Sequence, residues 1–215
     1  MWLFGKPYSG LSALCKEVSR ELGIVHLRSK DILNHFLKNP FDVQAKKLRS
    51  SLRKGEKVDD DLIVDLIYKR LQFPDVVENG YILQGFPTTC DQVRKLNAKG
   101  VIPMLTFSNL QTDLAIKCRA AKTRLAGKST FKLDPEILNT RIKETTEHFP
   151  LVERFVLHHY QNLRYVSSAL SIESNLVKIR TDLSDVLRQR YNVAQELSEG
   201  RPFDSRCIML QKKEV

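Results

Sequence analysis

Short apolar runs alternate along the chain with longer stretches whose apolar residues recur three and four apart. Trp2–Phe4 (WLF), Ile24–Leu27 (IVHL), Tyr81–Leu83 (YIL) and Met104–Phe107 (MLTF) have the length and composition of strands buried on both faces, and Leu176–Ile179 (LVKI) is expected as a fifth. Helical spacing is clear in SALCKEVSREL, where Leu14, Val18 and Leu22 are four apart, and in DDLIVDLIYKRLQ, where Leu62, Leu66, Ile67 and Leu71 share a side. QTDLAIKCRAAK, DPEILNTRIKETTEH and LVERFVLHHYQNL repeat the style. Asp134 and Pro135 are expected as N-cap and first-turn residue, and Phe149, Pro150 and Leu151 as the start of a separate helix. Strand–helix alternation of this kind predicts an α/β protein with a parallel sheet.

Composition narrows the picture only a little. The 215 residues suffice for one domain with a sizeable core, and no run approaches the ~20 apolar residues that span a bilayer. WLF is too short for a secretory h-region, so the chain reads as cytoplasmic, with no membrane partner. Cys15, Cys90, Cys118 and Cys207 are widely spaced, which points to reduced thiols rather than zinc, and no metal ligands are assigned. The excess of 35 Lys+Arg over 25 Asp+Glu, a net charge of +10, favours an anionic partner. The basic residues are scattered without interleaved aromatics, which disfavours nucleic acid. His158 and His159 are adjacent on a helix and do not face one ligand. Thr123–Lys132 reads as a mobile basic loop, and the stretch from Ser198 to Val215 as a polar tail or linker. The opening strand begins almost at residue 1, which suggests a domain cut from a longer chain.

Candidate chemistry begins at GKPYSGLSA, Gly5 to Ala13, between the first strand and the first helix. A phosphate-binding loop in that place needs glycines that turn backbone N–H groups inward and the positive end of the following helix. It also needs a lysine for the β- and γ-phosphates and a hydroxyl for magnesium. Gly5, Ser9 and Gly10 can shape an anion nest, backed by a helix from Leu11 or Ser12. Leu11 stands where the lysine belongs and Ala13 where the magnesium hydroxyl belongs. Lys6 lies on the wrong side of the bend, and Ser12 is one residue out of place. Taken alone, the stretch reads equally well as a plain strand–turn–helix.

Four landmarks together resemble the adenylate kinase (nucleoside monophosphate kinase) family, over roughly residues 2–190. The family loop GxPGxGKGT is matched in frame at Gly5, Pro7, Ser9 and Gly10. SKDILN, Ser29 to Asn34, takes the place of a serine-led Gly-Asp-Leu-Leu-Arg stretch, and GEKVDDDLIVDLIYKRL from Gly55 follows a Gly-x-x-Val-x-Asp turn into a helix. NGYILQGFPTTCDQ, Asn79 to Gln92, matches NGFILDGFPRT with its following glutamine. The resemblance implies a P-loop NTPase-like three-layer sandwich with a five-stranded parallel sheet. It implies an adenylate-kinase-like domain over 1–197, with a helical NMP-binding insertion at about 29–70 and a short lid at about 120–135. The phosphate-binding residues it implies are Gly5, Pro7, Ser9 and Gly10, with Ser12 beside them, and the candidate cofactors are ATP and magnesium.

The same resemblance implies that the reactive groups are missing one after another. Asn34 replaces the arginine that holds the acceptor monophosphate, Gln84 the aspartate that orders magnesium, and Thr88 the arginine after Gly-Phe-Pro. Cys118 falls on another arginine position, with Lys122 at the second basic position. Arg119 is adjacent but turned about 100° around the helix. The lid segment TRLAGKSTFKLDPE holds Arg124 and two lysines, and Arg141 in LNTRIK matches a substrate-holding arginine. Lys122, Arg124 and Arg141 are therefore the catalytic candidates, with Arg119 and Lys128 as partial substitutes. Losing one such charge costs about 10² to 10³ in rate.

Asp31, Gly85 and Gln92 match acceptor-nucleotide residues of the family. Their plainer alternatives are a helix cap for Asp31, a backbone turn for Gly85-Phe86-Pro87 and a solvated helix residue for Gln92. Three readings stay open. The first is an inactive or severely impaired pseudo-kinase, acting as a scaffold or weak nucleotide binder, as in the degraded domains of long adenylate-kinase-like proteins of cilia and flagella; protein partners within a larger chain belong to it. The second is an active nucleoside monophosphate or diphosphate kinase with a site reorganised around Lys6, Arg119, Lys122, Arg124 and Arg141. The third is a basic module for an acidic partner or nucleic acid.

Overall fold

Alternation along one central strand divides the interior into two layers. The computed structural model describes residues 1–38, 43–54, 58–125 and 135–198. Strand β1 (Trp2–Gly5) sends Trp2 and Phe4 to one face of the sheet and Leu3 to the other, all at most 1% exposed. It is flanked by β3 (Tyr81–Gln84) and β4 (Thr106–Leu110); β2 (Val25–Arg28) and β5 (Leu163–Ser167) lie at the edges. All pairings are parallel, in the order β2-β3-β1-β4-β5. This is the α/β parallel sheet that the strand–helix rhythm predicts, in the P-loop NTPase-like arrangement that the resemblance implies.

Helices cover both faces. On the Leu3 face, α1 (Leu11–Leu22) and α9 (Ile172–Ser198) bury Leu14, Val18, Leu176, Ile179 and Val186 against Phe107. On the Trp2 face lie α2 (Ser29–Lys38), α4 (Asp60–Leu71), α6 (Cys90–Ala98) and α8 (Pro135–Tyr160), with Phe36, Ile67, Leu96 and Val156 in the shared core. The remaining helices are α3 (Val43–Lys54), α5 (Pro74–Asn79) and α7 (Asp113–Leu125). Asp59 caps α4 by accepting the Asp61 N–H at 3.2 Å.

Helix α4 is tied to α6 by three polar contacts a turn apart. Gln92 Nε2 donates to Asp60 Oδ1 at 2.8 Å, Lys95 Nζ lies 2.7 Å from Asp61 Oδ1, and Lys99 Nζ lies 2.8 Å from Asp65 Oδ1.

Four sequence expectations are corrected. LVKI is not a strand: Leu176, Ile179 and Val186 recur at helical spacing within α9 and pack on the sheet. The fifth strand is Leu163–Ser167, whose buried Leu163 and Val166 are interrupted by Arg164 and Tyr165, so it lacks a continuous apolar run. The fourth strand begins at Thr106, so Met104 and Leu105 lead into it. Helix α8 runs unbroken through Pro150, because Phe149, Val152 and Val156, three and four apart, keep one apolar stripe on the core. It ends at Tyr160, with Gln161 in the left-handed region at φ 52°, so QNL is not helical.

Strand β1 lies between the two directions of winding, since the chain crosses to β2 and β3 on one side and to β4 on the other. Open α/β sheets bind ligands outside the carboxyl ends of their strands at such a switch point. The segment from Lys6 to Gly10 occupies that position.

Phe107, 1% exposed between α1 and α9, carries much of the second layer. Phe107→Ala is expected to cost about 3–5 kcal/mol in chemical denaturation. Leu114→Ala, at a side chain 72% exposed, should stay within about 0.5 kcal/mol.

Candidate functional site

Between β1 and α1 the backbone turns through two left-handed residues. Gly10 is the N-cap of α1 at φ 82°, and Tyr8 has φ 59°. Tyr8 occupies the second glycine position of the GxPGxGKGT pattern. A side chain costs about 1–2 kcal/mol there, where glycine costs nothing comparable. Its place in the motif was visible in the sequence; its conformation was not.

The bend is braced from the sheet. The Ser9 carbonyl accepts from Asn109 Nδ2 at 3.0 Å and from Ser168 Oγ at 2.7 Å. Ser168 Oγ also lies 3.0 Å from Asn109 Oδ1, and its single hydrogen serves one of these acceptors at a time. Ser9 is 2% exposed, and its Oγ is buried without a hydrogen-bond partner. Asn109, at the end of β4, and Ser168, after β5, were not singled out in the sequence, because no local pattern marks a side chain that braces a distant loop.

The positive groups are arranged differently from a working phosphate loop. Leu11, 6% exposed, packs into the apolar layer with Leu3, Leu14 and Phe107. A Cβ placed on Gly5 would stand 2.6 Å from Leu11 Cδ1, so the leucine fills the space beside Gly5. Lys6 Nζ is held by Asp113 Oδ1 at 2.6 Å, at the start of α7. Arg119 supplies the cation at the bend: its Nη1 lies 3.4 Å from the Tyr8 carbonyl, and a Cβ on Gly10 would meet it at 2.7 Å. The 100° step from Cys118 thus turns Arg119 toward the loop, while Cys118 is exposed.

Where the resemblance puts the magnesium-ordering aspartate, a neutral chain runs instead. His26 Nε2 and Gln84 Oε1 are 2.8 Å apart, and Gln84 Nε2 donates to Ser12 Oγ at 2.9 Å. Because the Gln84 oxygen accepts, His26 Nε2 carries the hydrogen. Burial pushes the His26 pKa below its ordinary value; the hydrogen bond to Gln84 and the Asp31 charge raise it, and the Arg28 charge lowers it, without reversing the shift. Magnesium requires oxygen ligands in near-octahedral order, usually including a carboxylate. Gln84 turns its NH₂ toward Ser12, and Ala13 has no hydroxyl. This donor set does not fit the ion.

Of the residues that the resemblance assigns to an acceptor nucleotide, Asp31 lies in the first turn of α2 and pairs with Arg28, Nε to Oδ2 at 2.5 Å. It pairs with Arg28 rather than capping the helix. Gly85 has φ 74°, and Ser29 Oγ donates to its carbonyl at 3.4 Å. Gln92 is 4% exposed, which corrects the solvated alternative. Its Oε1 accepts from Thr88 N at 2.7 Å and Thr88 Oγ1 at 3.0 Å, while its Nε2 donates to Asp60. Asn34 and Lys122 are exposed. The side chains of Arg124 and Arg141, and the whole of Lys128, lie outside the described residues, as do 126–134 of the lid expected at about 120–135. The fold thus gathers Gly5, Pro7, Ser9, Gly10 and Ser12 at one bend, and Gln84 joins them through Ser12.

Residues 4–130 match a family model described as an AAA domain. The chain is 32% identical to adenylate kinase 8 of Xenopus tropicalis over 103 residues, covering 48% of this chain and 20% of that protein. It is 39% identical to an adenylate kinase of Methanocella arvoryzae over 95 residues, covering 44% of this chain and 43% of that protein. It is 28% identical to the probable chloroplastic adenylate kinase 2 of Oryza sativa subsp. japonica over 188 residues, covering 83% of this chain and 63% of that protein. Across these three, the chain spans from 20% to 63% of the relative's length.

The neutral chain has a pH signature. With its folded pKa depressed, His26 takes up a proton more readily when unfolded. Its contribution to stability is complete above about pH 6.5 and is lost as pH falls from there toward the folded value. Thermal melting should show a lower midpoint at pH 5 than at pH 7.5. His26→Asn should reduce that difference, and an undiminished difference in the variant would place its origin elsewhere.

Proposed function

The chain belongs to the adenylate kinase family, within the AAA domain group that its residues 4–130 match, and we propose that this copy is catalytically inactive or severely impaired. It serves as a scaffold or a weak nucleotide binder. The observation that carries the reading is Leu11: the residue at the lysine position of the family loop is an aliphatic side chain, 6% exposed and packed in the core. Phosphoryl transfer depends almost wholly on positioning and charge neutralisation, so a loop without that ammonium has lost a principal tool. Gln84 at the aspartate position, Thr88 bonded to Gln92, and the exposed Asn34 and Cys118 extend the loss to both sides of the site. Several such losses leave little for the remaining groups to recover, even though they do not simply add.

In this reading the ligand is a nucleotide and the partners are proteins, with the net charge of +10 favouring acidic surfaces. One observation favours a second reading, an active phosphotransferase with a reorganised site: Arg119 stands at the bend. Lys6 is committed to Asp113 and gives that reading less support.

A coupled assay with magnesium, ATP and each of AMP, CMP and GMP should give turnover no faster than buffer. A steady rate above about 0.1 per second would overturn the first reading, since kinases typically turn over at about 1–100 per second. Loss of such a rate in Arg119→Ala would establish the second.

A further inference from the structure

We infer that this loop takes polyphosphate without magnesium, with Arg119 as its counter-cation. The inference rests on the nucleotide-binding part of the proposal above and concerns which ionic form of the ligand binds.

The elements of an anion site are present at the bend. Helix α1 presents its N-terminus behind Gly10, with backbone N–H groups that have no partner earlier in the helix. The Ser9 carbonyl, which would repel an anion, is held by Asn109 and Ser168. Ser9 Oγ sits within the bend, buried and without a partner, 3.0 Å from where a Gly5 Cβ would stand. The Arg119 guanidinium lies against Gly10 at the same bend. A guanidinium binds phosphate oxygens through a planar fork and needs no metal to do so.

The elements of a metal site are not. Magnesium bridges phosphate oxygens while the protein holds its other side through a hydroxyl and a carboxylate. Ala13 supplies no hydroxyl, and Gln84 supplies an amide. That amide is fixed at both ends: Oε1 faces His26, and Nε2 donates to Ser12 Oγ. A dication placed beside Ser12 would meet the positive end of the Gln84 amide. Magnesium also neutralises part of the ligand charge that Arg119 and the helix end attract. The metal-free polyphosphate is therefore the better ligand here, the reverse of the preference that an aspartate at position 84 would create.

The test is calorimetric titration of the whole chain with ADP, once in EDTA and once in excess magnesium. Affinity in EDTA is expected to equal or exceed that in magnesium. Arg119→Ala should weaken ADP about tenfold or more under both conditions. Gln84→Asp should move the preference toward magnesium. Ala13→Thr restores the hydroxyl at an exposed position and tests the same shift if Gln84→Asp fails to fold. An affinity that rises tenfold with magnesium in the unaltered chain would overturn the inference, and so would no heat in either buffer. Neither result touches the impaired-catalyst reading, which stands or falls on turnover.

Discussion

A side chain that opens a helix behind a tight bend can reach outward over the bend or inward beneath it. Leu11 goes inward, and most of the site's character follows. Its methyl groups fill the space beside Gly5 and join the layer formed by Leu3, Leu14, Cys15 and Phe107. An ammonium could not be left in that layer without a partner. Burying a leucine there is worth about 1.5–3 kcal/mol relative to exposing it. A leucine at the position that the family loop gives to a lysine thus adds to the core.

The bend keeps its shape for reasons independent of phosphate. Gly10 accepts the left-handed turn, Asn109 and Ser168 hold the Ser9 carbonyl, and Lys6 is anchored on Asp113. A neutral hydrogen bond of this kind contributes about 0.5–1.5 kcal/mol, and leaving a buried carbonyl unmet costs more. The bend is held by its own polypeptide, with Leu11 and Gln84 at the positions the family pattern gives to a lysine and an aspartate. Gln84 does the same on the other flank, spanning β2 and α1 through His26 and Ser12.

Much of this was legible in the sequence. The first three strands were apparent as short apolar runs, and α1 and α4 because each obeys one clear helical period. The landmarks at Gly5–Ala13 and Asn79–Gln92 located the candidate site, since motif residues are local in the chain. The failures have physical causes. β5 hides its two buried residues among polar ones, and an apolar run in α9 imitates a strand until residues several positions on are counted. Arg119 was legible only as a partial substitute, turned away by the angle of one helix, because the direction of a long side chain depends on what stands opposite it. The partners of Ser9, Gln84 and Gln92 lie 3 to 159 residues away, and for the distant ones only the fold shows the pairing.

The three rungs between α4 and α6 differ in kind. The two outer ones join exposed or half-exposed ions, whose attraction weakens as counterions crowd in. The inner one, Gln92 to Asp60, is sheltered and responds far less. The hold of α4 on α6 therefore answers to the surrounding electrolyte at two of its rungs and to the polypeptide alone at the third.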